Sequence, residues 1–149
     1  MDYQSNSRAL REAIRLLERK LGLLDELEAS CCGVTFAQCH AVVEIGRAGS
    51  ISLNDLADTL NLDKSTMSRT INNLVTNGMA VREIDPADRR YITIQLTESG
   101  QKAFETIEKS MEEFFANIFA KIPEGKREQV LEGLQILLEA LATTDCCKD

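Results

Sequence analysis

The strongest constraint on the fold is a pair of short amphipathic patterns separated by only three residues. Ser52, with Asp55 three positions later, is typical of a helix start. The helix that it predicts has the apolar stripe Leu53, Leu56, Ala57 and Leu60. Asn61-Leu62-Asp63 makes the turn. A second helix is predicted from Lys64 to about Asn77, with Gly78 just past its end as a C-cap. Its inward residues are Met67, Ile71, Leu74 and Val75. Two short helices joined by a tight turn form the helix-turn-helix pattern.

A β-hairpin is predicted directly after these two helices. Met79 to Ile84 and Tyr91 to Leu96 alternate well enough to be strands, and Asp85-Pro86-Ala87-Asp88 between them has the chemistry of a turn. A hairpin in this position is a wing. We therefore expect a winged helix-turn-helix over residues 50–96.

Long helical patterns flank this region on both sides. The first helix is predicted from about Ser5 to Ala29, with apolar residues at 4-3-4-3 spacing: Leu10, Ile14, Leu17, Leu21 and Leu24. It is expected to break at Cys31-Cys32-Gly33, and Thr35 with Gln38 predicts a capping box that opens another helix through Ile45. A fifth helix starts at Thr97-Glu98-Ser99-Gly100. Pro123 fits the first turn of a sixth, whose apolar residues are Val130, Leu134, Leu137 and Leu141.

The expected fold class is mainly α with a small β-hairpin wing and an intertwined helical dimerisation domain. The chain has 149 residues, 44% of them hydrophobic, which suits one compact core better than two. Within that one compact domain, residues 1–49 and 97–149 are expected to form the helical dimerisation region. No apolar run approaches the ~20 residues that span a bilayer, and the polar start lacks a signal-peptide core. We therefore expect a cytoplasmic protein with no membrane contact.

The outward face of the predicted helix 64–77 suits hydrogen bonding to nucleic acid. Opposite its apolar stripe lies a set of short polar side chains, called here the polar face: Ser65, Arg69, Asn72, Asn73 and Thr76, with Thr66 and Ser68 at its margins. An ordinary solvated helix carries Glu and Lys instead. A nearly uncharged face of short hydrogen-bonding groups favours contact with base edges and phosphates in the major groove over a plain solvated surface.

The wing carries Arg89 and Arg90 at the start of its second strand. An arginine on a narrow hairpin reaches a narrow minor groove, and Asp88 is positioned to hold one of the two through a charge-assisted bond. However, a hairpin tip that carries both positive and negative side chains is just as often ordinary solvent-exposed surface with no binding role. The net charge of −7 opposes DNA binding. However, residues 61–95 have five basic and four acidic side chains, so this segment is +1 and the remainder is −8.

These segments resemble the multiple-antibiotic-resistance regulator (MarR) family. The matching stretches are Leu53-Asn54-Asp55-Leu56-Ala57, Asp63 to Arg69, Leu74 to Arg82, Asp85 to Arg90, and Leu96 to Gly100. The resemblance implies a homodimer in which the first, fifth and sixth helices interlock and two winged domains bind halves of a palindromic operator in double-stranded DNA. It also implies Arg90 as the minor-groove finger. The major-groove residues that it implies are Ser65, Thr66, Ser68, Arg69, Asn72 and Asn73. The long apolar stripes fit a dimer independently.

The five cysteines point to a sensing site. Without an export signal, a reducing compartment favours thiols over disulfides. The resemblance implies switching by phenolic or lipophilic ligands, thiol oxidation or metal ions. Cys31-Cys32, in the link between helices, indicate a function. Cys39 is equally well a small buried hydrophobe, and Cys146-Cys147 equally well a frayed tail. The favoured effector is a thiophilic metal or metalloid ion held by thiolates from Cys31, Cys32 or Cys39 and a tail cysteine, with thiol oxidation as a close alternative.

The expected function is therefore that of a dimeric DNA-binding transcriptional regulator, a repressor that a signal near the cysteines releases from its operator. It requires no cofactor. A winged-helix module that binds another protein is the alternative from a different class, and it suits the overall acidity. A thiol enzyme is disfavoured, because the adjacent Cys39 and His40 point ~100° apart on a helix and no catalytic motif accompanies them.

Overall fold

A computed structural model describes the backbone of residues 3–32 and 35–144, and side chains at 4–22, 35 and 37–144. The helices are α1 (Tyr3–Cys32), α2 (Phe36–Ala48), α3 (Leu53–Thr59), α4 (Lys64–Thr76), α5 (Glu98–Lys121) and α6 (Arg127–Ala142), with a 3₁₀ turn at Glu124–Lys126. The strands are β1 (Ile51–Ser52), β2 (Ala80–Ile84) and β3 (Ile92–Leu96). The expected fold class, mainly α with a small β wing on a winged helix-turn-helix, is confirmed. Within the described part of the chain, no helix is both long and apolar enough to cross a membrane.

The helix starts expected from the sequence are present. Thr35 and Gln38 form the reciprocal capping box of α2, each side chain accepting from the other residue's backbone N–H at 3.4 Å. The Ser52 hydroxyl caps α3 by accepting from the N–H of Asp55 at 3.0 Å. Asp63 caps α4. In the turn between these two helices, Asn61 has φ of 54°, a left-handed conformation that Asn tolerates better than most residues.

The end of α4 is closed by Gly78, which has φ of 73°. Its N–H donates to the Val75 carbonyl at 3.0 Å, and the N–H of Met79 donates to the Leu74 carbonyl at 2.9 Å. This pair of bonds is a Schellman motif, whose left-handed residue is usually glycine because a Cβ is penalised there. The motif turns the chain out of α4 and into β2.

Thr97 joins this turn to the start of α5. Its hydroxyl donates to the Gly78 carbonyl at 2.6 Å and accepts from the Gly100 N–H at 3.1 Å. Its own N–H donates to the Met79 carbonyl at 3.0 Å. Gly100 lies so close that a Cβ built on it would be 1.9 Å from the Met79 carbonyl oxygen. The end of α4 and the first turn of α5 are therefore bonded through a single residue.

The structure corrects several boundaries. α1 continues through Cys32 instead of breaking before Cys31, because cysteine lacks the helix penalty of glycine or proline. β2 and β3 each start one residue later than expected. Strand β1 was missed because two residues are too short to show a period. Pro123 precedes a 3₁₀ turn, and α6 proper begins only at Arg127.

The sheet is antiparallel in the order β1-β3-β2. Ile51 pairs with Ile94 of β3, and Arg82 of β2 pairs with the same Ile94 from the other side. The core between this sheet and helices α2, α3 and α4 includes these fully buried large apolar side chains: Val42, Ile45, Leu56, Met67, Ile71, Leu74 and Ile94. Three of these belong to α4. Because they are inside, the opposite side of α4 is directed to solvent.

By its contacts the chain forms two compact units, residues 1–109 and 110–149. In the second unit, the Arg127 guanidinium donates to the carbonyls of Ile122 and Ala120 and lies 5.3 Å from the centre of the Phe119 ring. From residue 110 to 144 no side chain is fully buried. Large apolar side chains instead face solvent: Phe115, Ile118, Phe119, Val130, Leu131, Leu134, Ile136, Leu138 and Leu141. Separately, within the first unit, Leu10, Leu16, Leu17 and Leu21 of α1 are also exposed.

Candidate nucleic-acid interface

The start of α4 is organised by Asp63. Its carboxylate accepts from the Thr66 N–H at 3.1 Å and from the hydroxyls of both Ser65 and Thr66. Hydrogen bonds lower the pKa of Asp63 well below its usual range. The largest effect comes from the Ser65 hydroxyl, followed by the Thr66 hydroxyl and the Thr66 amide. Because both hydroxyl hydrogens are used on Asp63, Ser65 and Thr66 present acceptor lone pairs to an incoming ligand.

The rest of the polar face of α4 lies on the solvent side of the helix. Arg69, Asn72, Asn73 and Thr76 are exposed and Ser68 is half-buried. Thr66 is also half-buried, with its neighbour Ser65 exposed. The six residues expected to face the major groove are thus brought onto one helix surface. One cation, Arg69, is among them, so this surface offers many hydrogen-bonding groups and little charge.

Asn72 has a partner outside α4. The Arg82 guanidinium of β2 donates through Nη2 to Asn72 Oδ1. This contact was missed in the sequence, where Arg82 contributed only to the local charge. The two residues are ten positions apart on a helix and a strand, and only the packing of α4 against β2 brings them together.

The wing loop is closed by short backbone and side-chain bonds. The N–H of Asp85 donates to the Tyr91 carbonyl at 3.0 Å, and the N–H of Tyr91 donates to the Asp88 carbonyl at 3.0 Å. The Asp85 carboxylate accepts from the Ala87 N–H at 2.8 Å. This arrangement fixes the position of residue 88 within the loop and brings residue 90 beside it.

Asp88 holds Arg90, and the sequence had left open which of the two arginines it would engage. The guanidinium donates from Nε to Oδ1 at 3.0 Å and from Nη2 to Oδ2 at 2.8 Å. Hydrogen bonds from the Arg90 guanidinium, and to a smaller extent from the Arg90 backbone N–H, lower the pKa of Asp88. The Asp88 carboxylate in turn raises the pKa of Arg90. Arg89 is exposed beside this pair. The Arg90 side chain is 87% exposed despite its fixed orientation.

Among the side chains that the structure describes, no cysteine lies in a metal-binding site. Cys39 is 1% exposed in the core side of α2, which matches a small buried hydrophobe better than an accessible thiol. Cys31 and Cys32 lie in the last turn of α1 and not in a loop, which corrects the expectation; their side chains are outside the described residues, as are Cys146 and Cys147. Among the residues that the structure does describe, no group of three or more His, Cys, Asp or Glu side chains is arranged to hold a metal ion.

Comparison with known proteins finds the same architecture. A family model described as the MarR family matches residues 33–90. The HTH-type transcriptional regulator YdgJ of Bacillus subtilis is 26% identical over 105 residues, which is 70% of this chain and 64% of YdgJ, just under two thirds of its length. A solved MarR transcriptional regulator from Methanosarcina mazei is 27% identical, with a TM-score of 0.75 over 89% of this chain and 96% of that one. Streptococcus pneumoniae FabT, solved in complex with DNA, is 20% identical with a TM-score of 0.77 and covers 95% of this chain and 98% of FabT. At that identity the likeness to FabT concerns the fold alone.

Proposed function

We propose that this chain, whose residues 33–90 match the MarR family model, is a homodimeric, DNA-binding transcriptional repressor of that family. One observation carries the proposal. Met67, Ile71 and Leu74 of the inward stripe of α4 are fully buried and Val75 is half-buried, so the short, nearly uncharged polar face is held towards solvent. Groups held this way reach base edges without a cost for ordering the helix. FabT, which shares the fold, is solved with DNA, which supports the same use of the fold here.

The wing supports the proposal with a second contact. Asp88 uses two of the five N–H donors of the Arg90 guanidinium, so three remain directed to solvent. A planar cation that is already oriented loses little freedom when it enters a narrow, negative minor groove. We assign Arg90 this role, with Asp88 as its support and Arg89 as a neighbouring phosphate contact.

Dimerisation is proposed from the exposed apolar side chains. On α6, Leu131, Leu138 and Ile136 are each more than half exposed, and Phe115 of α5 is 51% exposed. A soluble monomer rarely leaves so many large apolar residues on one short helical segment, and a second copy of this chain would cover them. Two winged units related by a two-fold axis would then read the halves of a palindromic operator.

The test is a direct binding measurement. Purified full-length chain is titrated against the duplex lying upstream of its own gene, followed by fluorescence anisotropy over a salt series. The proposal expects nanomolar-range binding that weakens steeply as salt rises. Arg69→Ala and Arg90→Ala should each reduce affinity, whereas Lys109→Ala, which removes an exposed cation from α5, should not. Equal binding by all three variants would reject the assignment of α4 and the wing.

A winged-helix module that binds another protein is the competing class, and the acidity outside residues 61–95 favours it. It is distinguished by the same measurement. A protein-binding module would show no salt-dependent affinity for any duplex, and the Arg90→Ala variant would behave as wild type towards DNA.

The releasing signal is proposed to be a thiophilic metal or metalloid ion, in the cytoplasm, held by Cys31 or Cys32 together with a tail cysteine, Cys146 or Cys147. Two adjacent cysteines at the end of α1 are the feature that supports it, because soft ions prefer thiolate ligands. Arsenite should release DNA from wild type and not from the Cys31→Ser, Cys32→Ser double variant. Cys39→Ser is the matched control, since that side chain is buried. Release by hydrogen peroxide alone would identify thiol oxidation, and release by salicylate alone would identify a phenolic ligand.

A further inference from the structure

The bond between Arg82 and Asn72 crosses from the sheet to the polar face of α4. Arg82 is at the centre of β2, opposite the fully buried Ile94 of β3, and it shares a strand face with the buried Ala80. Asn72 projects from the solvent side of α4. The guanidinium Nη2 donates to Asn72 Oδ1. A residue anchored in the sheet thus controls one atom of a side chain on the candidate DNA-binding surface.

The consequence lies in the chemistry of the amide. An asparagine side chain has an NH₂ group with two donors and one accepting oxygen with two lone pairs, of which Arg82 uses one. While a charged guanidinium is bonded to Oδ1, the amide cannot turn end over end without losing a charge-assisted bond. Oδ1 therefore stays on the β2 side, and Nδ2 is the end left to meet a ligand.

We propose that Arg82 is a positioning residue that sets the base preference of Asn72, which is an inference that rests on the proposed DNA-binding function. An unrestrained asparagine recognises adenine by using Oδ1 and Nδ2 together against N6 and N7. With Oδ1 turned towards β2 by its bond to Arg82, Asn72 meets the groove through Nδ2 and acts there as a donor. Its partners are then acceptor atoms in the major groove, N7 and O6 of guanine or O4 of thymine, and the bidentate adenine contact is disfavoured.

The experiment measures base preference, which a merely structural role would not change. Wild type, Arg82→Met, Asn72→Ala and the double variant each select from a library of randomised 30-base-pair duplexes, and enriched sites are ranked by affinity. At the base position whose preference Asn72→Ala erases, wild type should prefer guanine or thymine. In Arg82→Met that preference should move towards adenine by about fivefold or more, since a bidentate base contact carries that much discrimination. The double variant should match Asn72→Ala.

Three outcomes overturn the inference or its premise. An unchanged motif in Arg82→Met would mean that Arg82 does not orient Asn72. A uniform loss of affinity across all sequences, with a salt slope smaller by about 1, would make Arg82 a phosphate contact instead. If wild type enriches no motif, the proposed function itself fails. Thermal melting checks that the variants fold, and Arg82→Thr, which suits an exposed strand position, replaces Arg82→Met if the latter does not.

Discussion

Asp88 accepts hydrogen bonds from the Arg90 guanidinium with both carboxylate oxygens, from Nε to Oδ1 at 3.0 Å and from Nη2 to Oδ2 at 2.8 Å. Its Oδ1 accepts a third bond, from the Arg90 backbone N–H, at 3.1 Å. The arginine is thus fixed at its base and along one edge while its other edge faces solvent. Binding then needs less ordering of a long, rotamer-rich side chain than a free arginine would.

Arg90→Ala should weaken binding to an operator duplex by about tenfold or more, with a salt slope smaller by about 1, because one cationic contact with DNA is removed. Arg90→Lys should fall between wild type and Arg90→Ala, since an ammonium lacks the planar fork that Asp88 holds. Fluorescence anisotropy over a salt series measures both quantities. Affinity that is the same in Arg90→Ala and wild type at every salt concentration would contradict the role given to the wing.

Asp88→Asn separates charge from positioning. The substitution removes a negative charge beside DNA, so electrostatics alone predicts tighter binding. Loss of the two charge-assisted bonds leaves Arg90 unfixed, and we expect weaker binding by about threefold or more. The matched control is Asp85→Asn, which removes a negative charge from the same loop without touching Arg90. Tighter binding by Asp88→Asn would show that the pairing has no positioning value.

Stability should depend on the Asp63 carboxylate in acid. Bonds from Ser65 and Thr66 lower its folded-state pKa, whereas the unfolded chain keeps the ordinary value of 3.8. A lowered pKa contributes stability that is present above 3.8 and is lost as pH falls towards the folded-state value. In the Asp63→Asn variant the asparagine still caps the helix but does not titrate, so this pH-dependent contribution to stability is absent. Melting curves between about pH 6 and 2 should therefore show a steeper acid loss in wild type than in Asp63→Asn. If melting temperature falls equally with pH in wild type and Asp63→Asn, the Asp63 carboxylate does not contribute to stability as proposed.

Gly100→Ala should destabilise the fold by about 3 kcal/mol or more, because the added Cβ would meet a backbone oxygen that cannot rotate away. The distance to the Met79 carbonyl oxygen would be only 1.9 Å. Gly22→Ala is the matched control: nothing lies within 4 Å of its added Cβ, and alanine in a helix interior should gain about 0.5–1 kcal/mol. Denaturant unfolding measures both. Similar midpoints for the two variants would be inconsistent with this packing.

The purified chain should sediment as a dimer, and Leu134→Glu should shift it towards monomer. Leu134 is 44% exposed on α6, and a carboxylate there would be desolvated in an apolar dimer contact. Gln135→Glu adds the same charge at the next position and should stay dimeric. Sedimentation velocity distinguishes the species. A wild-type monomer at micromolar concentration would remove the dimer from the proposal.

Local chemistry explains why much of this fold is predictable. Thr35, Ser52 and Asp63 mark helix starts by residue type alone, and the stripe through Met67, Ile71 and Leu74 determines which side of α4 faces outward. The Asn72 to Arg82 bond depends instead on tertiary packing of a helix against a strand, which no periodicity records. Strand β1 is made by its pairing with Ile94, and its two residues carry no pattern of their own. α1 extends through Cys32, beyond the predicted end at Ala29, because the two cysteines of the predicted Cys31-Cys32-Gly33 break are themselves compatible with a helix.

Thr97 links the position of the first turn of α5 to the end of α4. Its hydroxyl and N–H bond to the carbonyls of Gly78 and Met79 at the exit of α4, and the same hydroxyl receives the first-turn N–H of α5 at Gly100. The two elements lie close together here, because a Cβ at position 100 would be only 1.9 Å from the Met79 carbonyl oxygen. A tilt of the first turn of α5 would therefore strain these hydrogen bonds at the end of α4.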